Sequence, residues 1–125
     1  MKQKELFRQL AMLNRVPKLL CNFSEKEYPF IIMGDVEKLD IMCLRLELYA
    51  LSDDEAYVIG RSRNADKKTL YYPNLSRIHC FIIKTDTGDY ALYDTSKAGT
   101  RVMGMTSSPQ SSPSLRDKIR NFWNS

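Results

Sequence analysis

Three short polar stretches hold most of the chemistry in this chain: residues 60–63 (GRSR), 74–79 (NLSRIH) and 94–100 (DTSKAGT). Between them they offer Arg61, Ser62, Arg63, Ser76, Arg77, Ser96 and Lys97, with Asn74 at the head of the second stretch. Guanidinium forks, hydroxyls and an ammonium are the donors a phosphate needs, and Asp94 is the one carboxylate among them. The second stretch also holds His79, the only histidine of the chain. By type alone it is a base, a metal ligand or a piece of scaffolding. Catalysis would need a base oriented by an acid beside a nucleophile, and a metal site would need further ligands near His79. Neither pattern is in view, so no catalytic residue, metal or cofactor is expected.

Each polar stretch falls at the end of a segment that reads as a strand, so a sandwich can gather all three at one edge. Residues 80–83 (CFII) form an apolar run of buried-strand length, and 89–94 (DYALYD) follow after Thr85, Asp86, Thr87 and Gly88, a hairpin connection. Residues 56–60 (AYVIG) and 100–104 (TRVMG) read as further short strands, and 29–34 (PFIIMG) as one preceding them. In 43–51 (CLRLELYAL), Leu44, Leu46 and Leu48 alternate with Arg45, Glu47 and Tyr49, which predicts a half-buried strand. Many short strands separated by Gly, Asn, Asp and Ser turns indicate an all-β, antiparallel sandwich.

The flanks read differently. Leu6, Leu10 and Leu13 share one helical face over 4–13, and Pro17 ends that helix. Residues 22–29 (NFSEKEYP) are acidic and turn-like. After Gly104 the composition becomes Ser/Pro-rich, a linker or tail. Ser114 then caps an expected short helix with Leu115, Ile119, Phe122 and Trp123 on one side. The expected organisation is a helical extension over 1–20, a sandwich over 28–106, and a linker with a short helix over 107–125.

Length and charge bound the function. The 125 residues, 43% of them hydrophobic, make one domain with a core that needs no staple. Cysteine is odd in number (Cys21, Cys43 and Cys80) without a CxxC pair. Cys43 and Cys80 lie in strand-like runs, so buried reduced thiols and an intracellular, cytoplasmic or nuclear location are expected. No apolar run approaches the roughly 20 residues of a membrane span. The net charge of +4 is concentrated at the two ends. Residues 25–55 hold nine acids and three bases, whereas 56–104 hold eight bases and four acids. The basic half is the loop-rich half, as a localised anion site requires. A broad basic stripe interleaved with aromatics is absent.

In order and spacing the three stretches resemble the forkhead-associated (FHA) pattern: Gly-Arg, then Ser-x-x-His about fifteen residues later, then a final Asn-Gly. The resemblance covers about 44–104. It implies an eleven-stranded β-sandwich that binds phosphothreonine peptides in loops at one end. On that resemblance Arg61 supports the site, Ser76 binds a phosphate oxygen with its hydroxyl, and Arg77 faces the phosphate. His79 becomes scaffolding beneath the loop, while Gly60, Gly99 and Thr100 are structural. Ala98 stands where the family has Asn, whose amide holds the peptide main chain. Lys97 and Ser96, just before it, are the nearest donors.

The implied function is recognition of a phosphothreonine-containing partner protein, a module of interaction and not an enzyme. A degenerate FHA fold serving phosphate-independent interaction or self-association is the alternative. Nucleic-acid binding through the basic flanks is a further one, and no membrane partner is expected. Residues 62–69 (SRNADKKT) lack the glycines of a phosphate-cradling turn and read as a solvated loop.

Overall fold

The computed structural model describes residues 1–104; the expected C-terminal linker and helix lie outside the described residues. The elements run α1 (Gln3–Met12), β1 (Lys18–Phe23), β2 (Phe30–Met33), β3 (Glu37–Asp40), a 3-10 turn (Ile41–Leu44), α2 (Arg45–Tyr49), β4 (Tyr57–Gly60), β5 (Lys67–Lys68), β6 (Cys80–Lys84), β7 (Tyr90–Asp94) and β8 (Thr100–Met103). They form a five-stranded sheet in the order β1-β7-β6-β4-β5 and a three-stranded sheet in the order β3-β2-β8. Every pairing is antiparallel except the short one between β4 and β5.

The apolar run of β6 has a simple cause: its sheet is covered on both faces. Cys80 and Ile82 point into a core shared with Ile31 and Met33 of the smaller sheet, alongside Tyr57, Ile59, Tyr90 and Leu92 of the neighbouring strands. Phe81 and Ile83 point the other way, into a second cluster with Val58, Ala91 and Tyr93. Helix α1 supplies the cover there through Leu6, Phe7 and Leu10, all buried. Phe7 meets Phe81 edge-on at 6.5 Å, and Phe81 stacks on Tyr93 at 5.2 Å. The N-terminal helix is therefore the third layer of the domain. The hairpin between β6 and β7 turns at Gly88, whose φ of 85° is left-handed.

Two expectations are corrected. The segment 43–51 is no strand: Ile41, Leu44, Leu48 and Leu51 are buried at helical spacing, whereas Leu46 is 74% exposed. Spacings of three and four residues, not two, decide the packing, and Asp40 opens the turn by accepting from the Met42 amide at 3.0 Å. Cys43 consequently sits exposed on that turn, whereas Cys80 is buried as expected. Burial also pushes the Cys21 thiol up to about 11, and Cys80 higher still.

Three strands lay hidden in the sequence. In β1 a bulge between Leu19 and Cys21 breaks the alternation. Leu19 faces the α1 cluster, whereas Leu20 and Cys21 both face the inter-sheet core. β1 also crosses the boundary expected at residue 20. β3 and β5 are short and polar, with no buried residue between them.

The helical reading of α2 makes a direct prediction. Leu48→Ala removes a fully buried side chain and is expected to cost about 3 kcal/mol. Leu46→Ala is expected to fall within about 0.5 kcal/mol of the wild type. Urea unfolding of both variants checks this, and equal losses would restore the strand reading.

Candidate functional site

Antiparallel pairing brings the three polar loops to one end of the molecule. Ile59 pairs with Cys80 and Cys80 with Asp94, so the exit of β4, the entry of β6 and the exit of β7 lie side by side. Thr100 at the start of β8 pairs with Met33, which adds the turn at Gly34 to the same end. The loop 61–77 is fastened to the end of β4 by backbone bonds from Arg61 to Ser76 (3.1 Å) and from Ser62 to Arg77 (2.9 Å). Gly60 permits this approach, because a Cβ there would lie 2.1 Å from the Arg77 carbonyl oxygen. The Arg61 Nε–H donates to the Leu75 carbonyl, which fixes the base of its guanidinium.

His79 lies beneath these loops, fully buried. Its Nδ1 accepts from the Ser76 amide at 3.1 Å. Nε2 must then carry the proton, and it donates to the Gly99 carbonyl at 3.0 Å. One imidazole thus ties the 74–79 loop to the 94–100 loop. Gly99 itself has a φ of 93°, and its carbonyl also accepts from the Gly34 amide at 3.0 Å. Burial holds the imidazole below its ordinary pKa, against the opposing pull of the Gly99 carbonyl and the Asp94 and Glu37 charges.

The 94–100 loop is organised around Asp94. Its Oδ1 accepts from the Ser96 hydroxyl (2.7 Å), the Ser96 amide (3.3 Å) and the Thr100 hydroxyl (2.8 Å). The Ser96 hydroxyl in turn accepts from the Gly99 amide at 2.9 Å. Ser96 and Thr100 are committed inside the loop, and Ser96 does not line the groove described next. Thr95 is buried beside them, its hydroxyl donating to the Ile78 carbonyl at 2.7 Å.

Arg61, Asn74, Ser76, Arg77, Lys97 and Ala98 line one open groove of about 250 Å³. The Ser76 hydroxyl accepts from the Lys97 amide at 3.3 Å, which leaves its own proton to donate. Asn74 also donates to the Gly34 carbonyl at 3.1 Å, so it holds the neighbouring turn as well. Leu13, Arg15 and Pro73 complete much of the remaining wall, and sequence reasoning did not place them there. For Asp94 a signal did exist, since Asp followed two residues later by Ser is an Asx-turn pattern. For Leu13 and Arg15 there was none, because they come from a distant element.

The lining includes four cations, Arg15, Arg61, Arg77 and Lys97, and no carboxylate. None of the four makes an ion pair among the described residues. Such a site attracts an anion and offers it a hydroxyl, three guanidinium groups and an ammonium at close quarters. Among the described residues no group of three His, Cys, Asp or Glu side chains is placed to hold a metal ion.

The brace has a pH signature. A histidine whose folded pKa is lowered is protonated more readily in the unfolded chain. Its contribution to stability is therefore complete above about pH 6.5 and lost as pH falls below that. Urea unfolding between pH 7.5 and 5.5 is expected to show falling wild-type stability. His79→Ala, expected to cost about 2–4 kcal/mol at pH 7.5 through an orphaned Ser76 amide and a cavity, should show a flatter profile. An unchanged profile in the variant would remove His79 from this role.

The FHA domain family model matches residues 57–118, a stretch that begins at β4 and takes in all three loops. No curated protein and no solved structure matches the chain. No helix among the described residues is long and apolar enough to cross a membrane. Two β-sheets, three loops at one end and the matched stretch agree: residues 57–118 match the FHA domain family, which in general is a phosphopeptide-binding module of protein interaction.

Proposed function

We propose that this protein binds a partner through a phosphothreonine seated in the loop groove. The observation that carries the reading is the lining of that groove, four cations and the Ser76 hydroxyl without a carboxylate. A dianionic phosphate between Arg77 and Lys97 satisfies charges that otherwise repel one another. The Ser76 hydroxyl donates to one phosphate oxygen, and Arg77 offers its fork to two. Arg61, held at its Nε by Leu75, both stiffens the loop and presents its remaining N–H groups to the ligand.

Ala98 sets this chain apart within its family. It lines the groove beside Lys97, where the family's Asn would hold the peptide main chain. With a methyl there, phosphate contacts carry most of the affinity, and main-chain contacts contribute less than in a domain with the amide.

Two measurements test the reading. Titration with matched peptides bearing phosphothreonine, phosphoserine or threonine is expected to show binding of the phosphothreonine form. Ser76→Ala or Arg77→Ala should weaken it about tenfold or more, since a bond to a charged group contributes about 1.5–3 kcal/mol. Equal affinity for the phosphorylated and plain peptides would overturn the proposal in favour of a phosphate-independent surface. Ala98→Asn supplies the missing amide and should tighten phosphothreonine peptides by roughly three- to thirtyfold, with free phosphate unaffected. An equal gain for inorganic phosphate would misplace Ala98 relative to the anion.

A further inference from the structure

Helix α1 precedes the residues matched to the family, yet it reaches the groove. Leu13 is part of the wall around the anion site, and it also lines an adjoining hollow of about 180 Å³ with Gln9, Met12, Ser62, Arg77 and Ile78. The two hollows share Leu13, Arg77 and Ile78, so they adjoin, one reaching Lys97 and Ala98 and the other the end of α1. The way α1 stops fixes this geometry. Its last turn is closed by bonds from Leu13 to Gln9 (3.0 Å), Asn14 to Ala11 (3.0 Å) and Arg15 to Leu10 (2.9 Å). Asn14 takes the left-handed conformation, φ 55°, that lets the chain leave the helix sharply. Leu6, Phe7 and Leu10 meanwhile anchor the helix in the outer core.

That anchoring leaves an apolar shelf beside the anion site. Met12 is 82% exposed and Leu13 40% exposed. Burial cannot explain Met12, whose side chain lies outside both core clusters. The shelf is walled by Met12, Leu13 and Ile78, and its one charged member is Arg77, already directed to the phosphate reading. An aliphatic side chain laid there removes apolar surface on both partners from water. An acidic side chain there would leave Met12, Leu13 and Ile78 uncovered and would compete with the phosphate for Arg77.

We propose that this α1-side hollow receives a bulky aliphatic side chain of the bound phosphopeptide, on the α1 side of the phosphothreonine. The ligand class is then a phosphothreonine peptide with Leu, Ile or Met a short step away. The inference rests on the phosphopeptide reading above, and it gives α1 a contact that reads a side chain, whereas the position of Ala98 addresses the peptide main chain. The occupant follows from adjacency: Arg77 lines both hollows, so a chain held there by its phosphate has the hollow at Leu13 and Met12 within reach of a flanking side chain.

The test is a phosphothreonine peptide series in which leucine, alanine or aspartate is walked through the flanking positions. Affinities are read by fluorescence anisotropy for the wild type, Met12→Ser and Leu13→Ser, with melting temperatures alongside. The wild type is expected to prefer leucine over alanine by about tenfold at one position. In both variants that ratio should fall towards one. Because Met12 is largely exposed, its substitution leaves folding intact and keeps the comparison valid. Phosphorylation-dependent binding with no leucine preference, or with a preference that neither substitution alters, overturns the α1 subsite and leaves the phosphopeptide reading standing. A preference for aspartate overturns it equally, in favour of a second anion contact at Arg15. Loss of phosphorylation dependence itself takes both readings down.

Discussion

The loop end of this molecule depends on one buried imidazole. His79 joins two loops that belong to different parts of the sandwich, accepting from Ser76 on one side and donating to Gly99 on the other. Both partners are backbone groups, so the brace fixes where the loops run, whatever their side chains. The pairing also demands a neutral ring, because Nδ1 must keep a lone pair to accept with. Burial enforces that state. Ser76 then hangs directly above its support, and Gly99 passes the constraint on to the turn at Gly34 through its second accepted bond.

Around this brace the sandwich performs a division of labour. The inter-sheet core and the α1 cluster hold β4, β6 and β7 rigid on both faces, so their ends are fixed in space. The loops beyond those ends are free to carry polar groups that a core could not tolerate. Asp94 commits its carboxylate to Ser96 and Thr100 within the loop and does not line the groove. What remains facing solvent is positive. Four cations gathered without a counter-ion among the described residues are an unfavourable arrangement, and ionic strength is expected to moderate it. Their persistence in one groove makes physical sense as preorganisation for an anion.

Much of this was legible in the sequence, and the exceptions have physical reasons. The strands β2, β4, β6 and β7 announced themselves because each is short, largely apolar and bounded by turn residues, and β8 by its place before Gly104. The gathering of Arg61, Ser76, Arg77 and Lys97 followed from placing three polar stretches at strand ends. His79 was assigned beneath the loop by family resemblance, and its two backbone partners give that assignment a geometry. The α2 segment misled because Leu44, Leu46 and Leu48 satisfy a two-residue period as well as part of a helical one. Tertiary burial of Ile41, Leu44, Leu48 and Leu51 chose the helix. β1 was hidden by its bulge, which places Leu20 and Cys21 on the same side. The α1 contribution to the groove had no local signal, because Leu13 comes to line the same hollows as Arg77 and Ile78 only through the packing of the helix on the sheet.

On the proposed reading, phosphate is held at the Ser76–Arg77 and Lys97–Ala98 loops above His79. Amide chemical-shift mapping tests it most directly. A nitrogen-15-labelled sample is titrated with one phosphothreonine peptide and with its unphosphorylated counterpart. Large phosphate-dependent shifts are expected at Ser76, Arg77, Lys97 and Ala98, accompanied by the His79 ring resonances, with β2 and β3 unmoved. Shifts of equal size with the unphosphorylated peptide, or shifts centred on the three-stranded sheet, would contradict it.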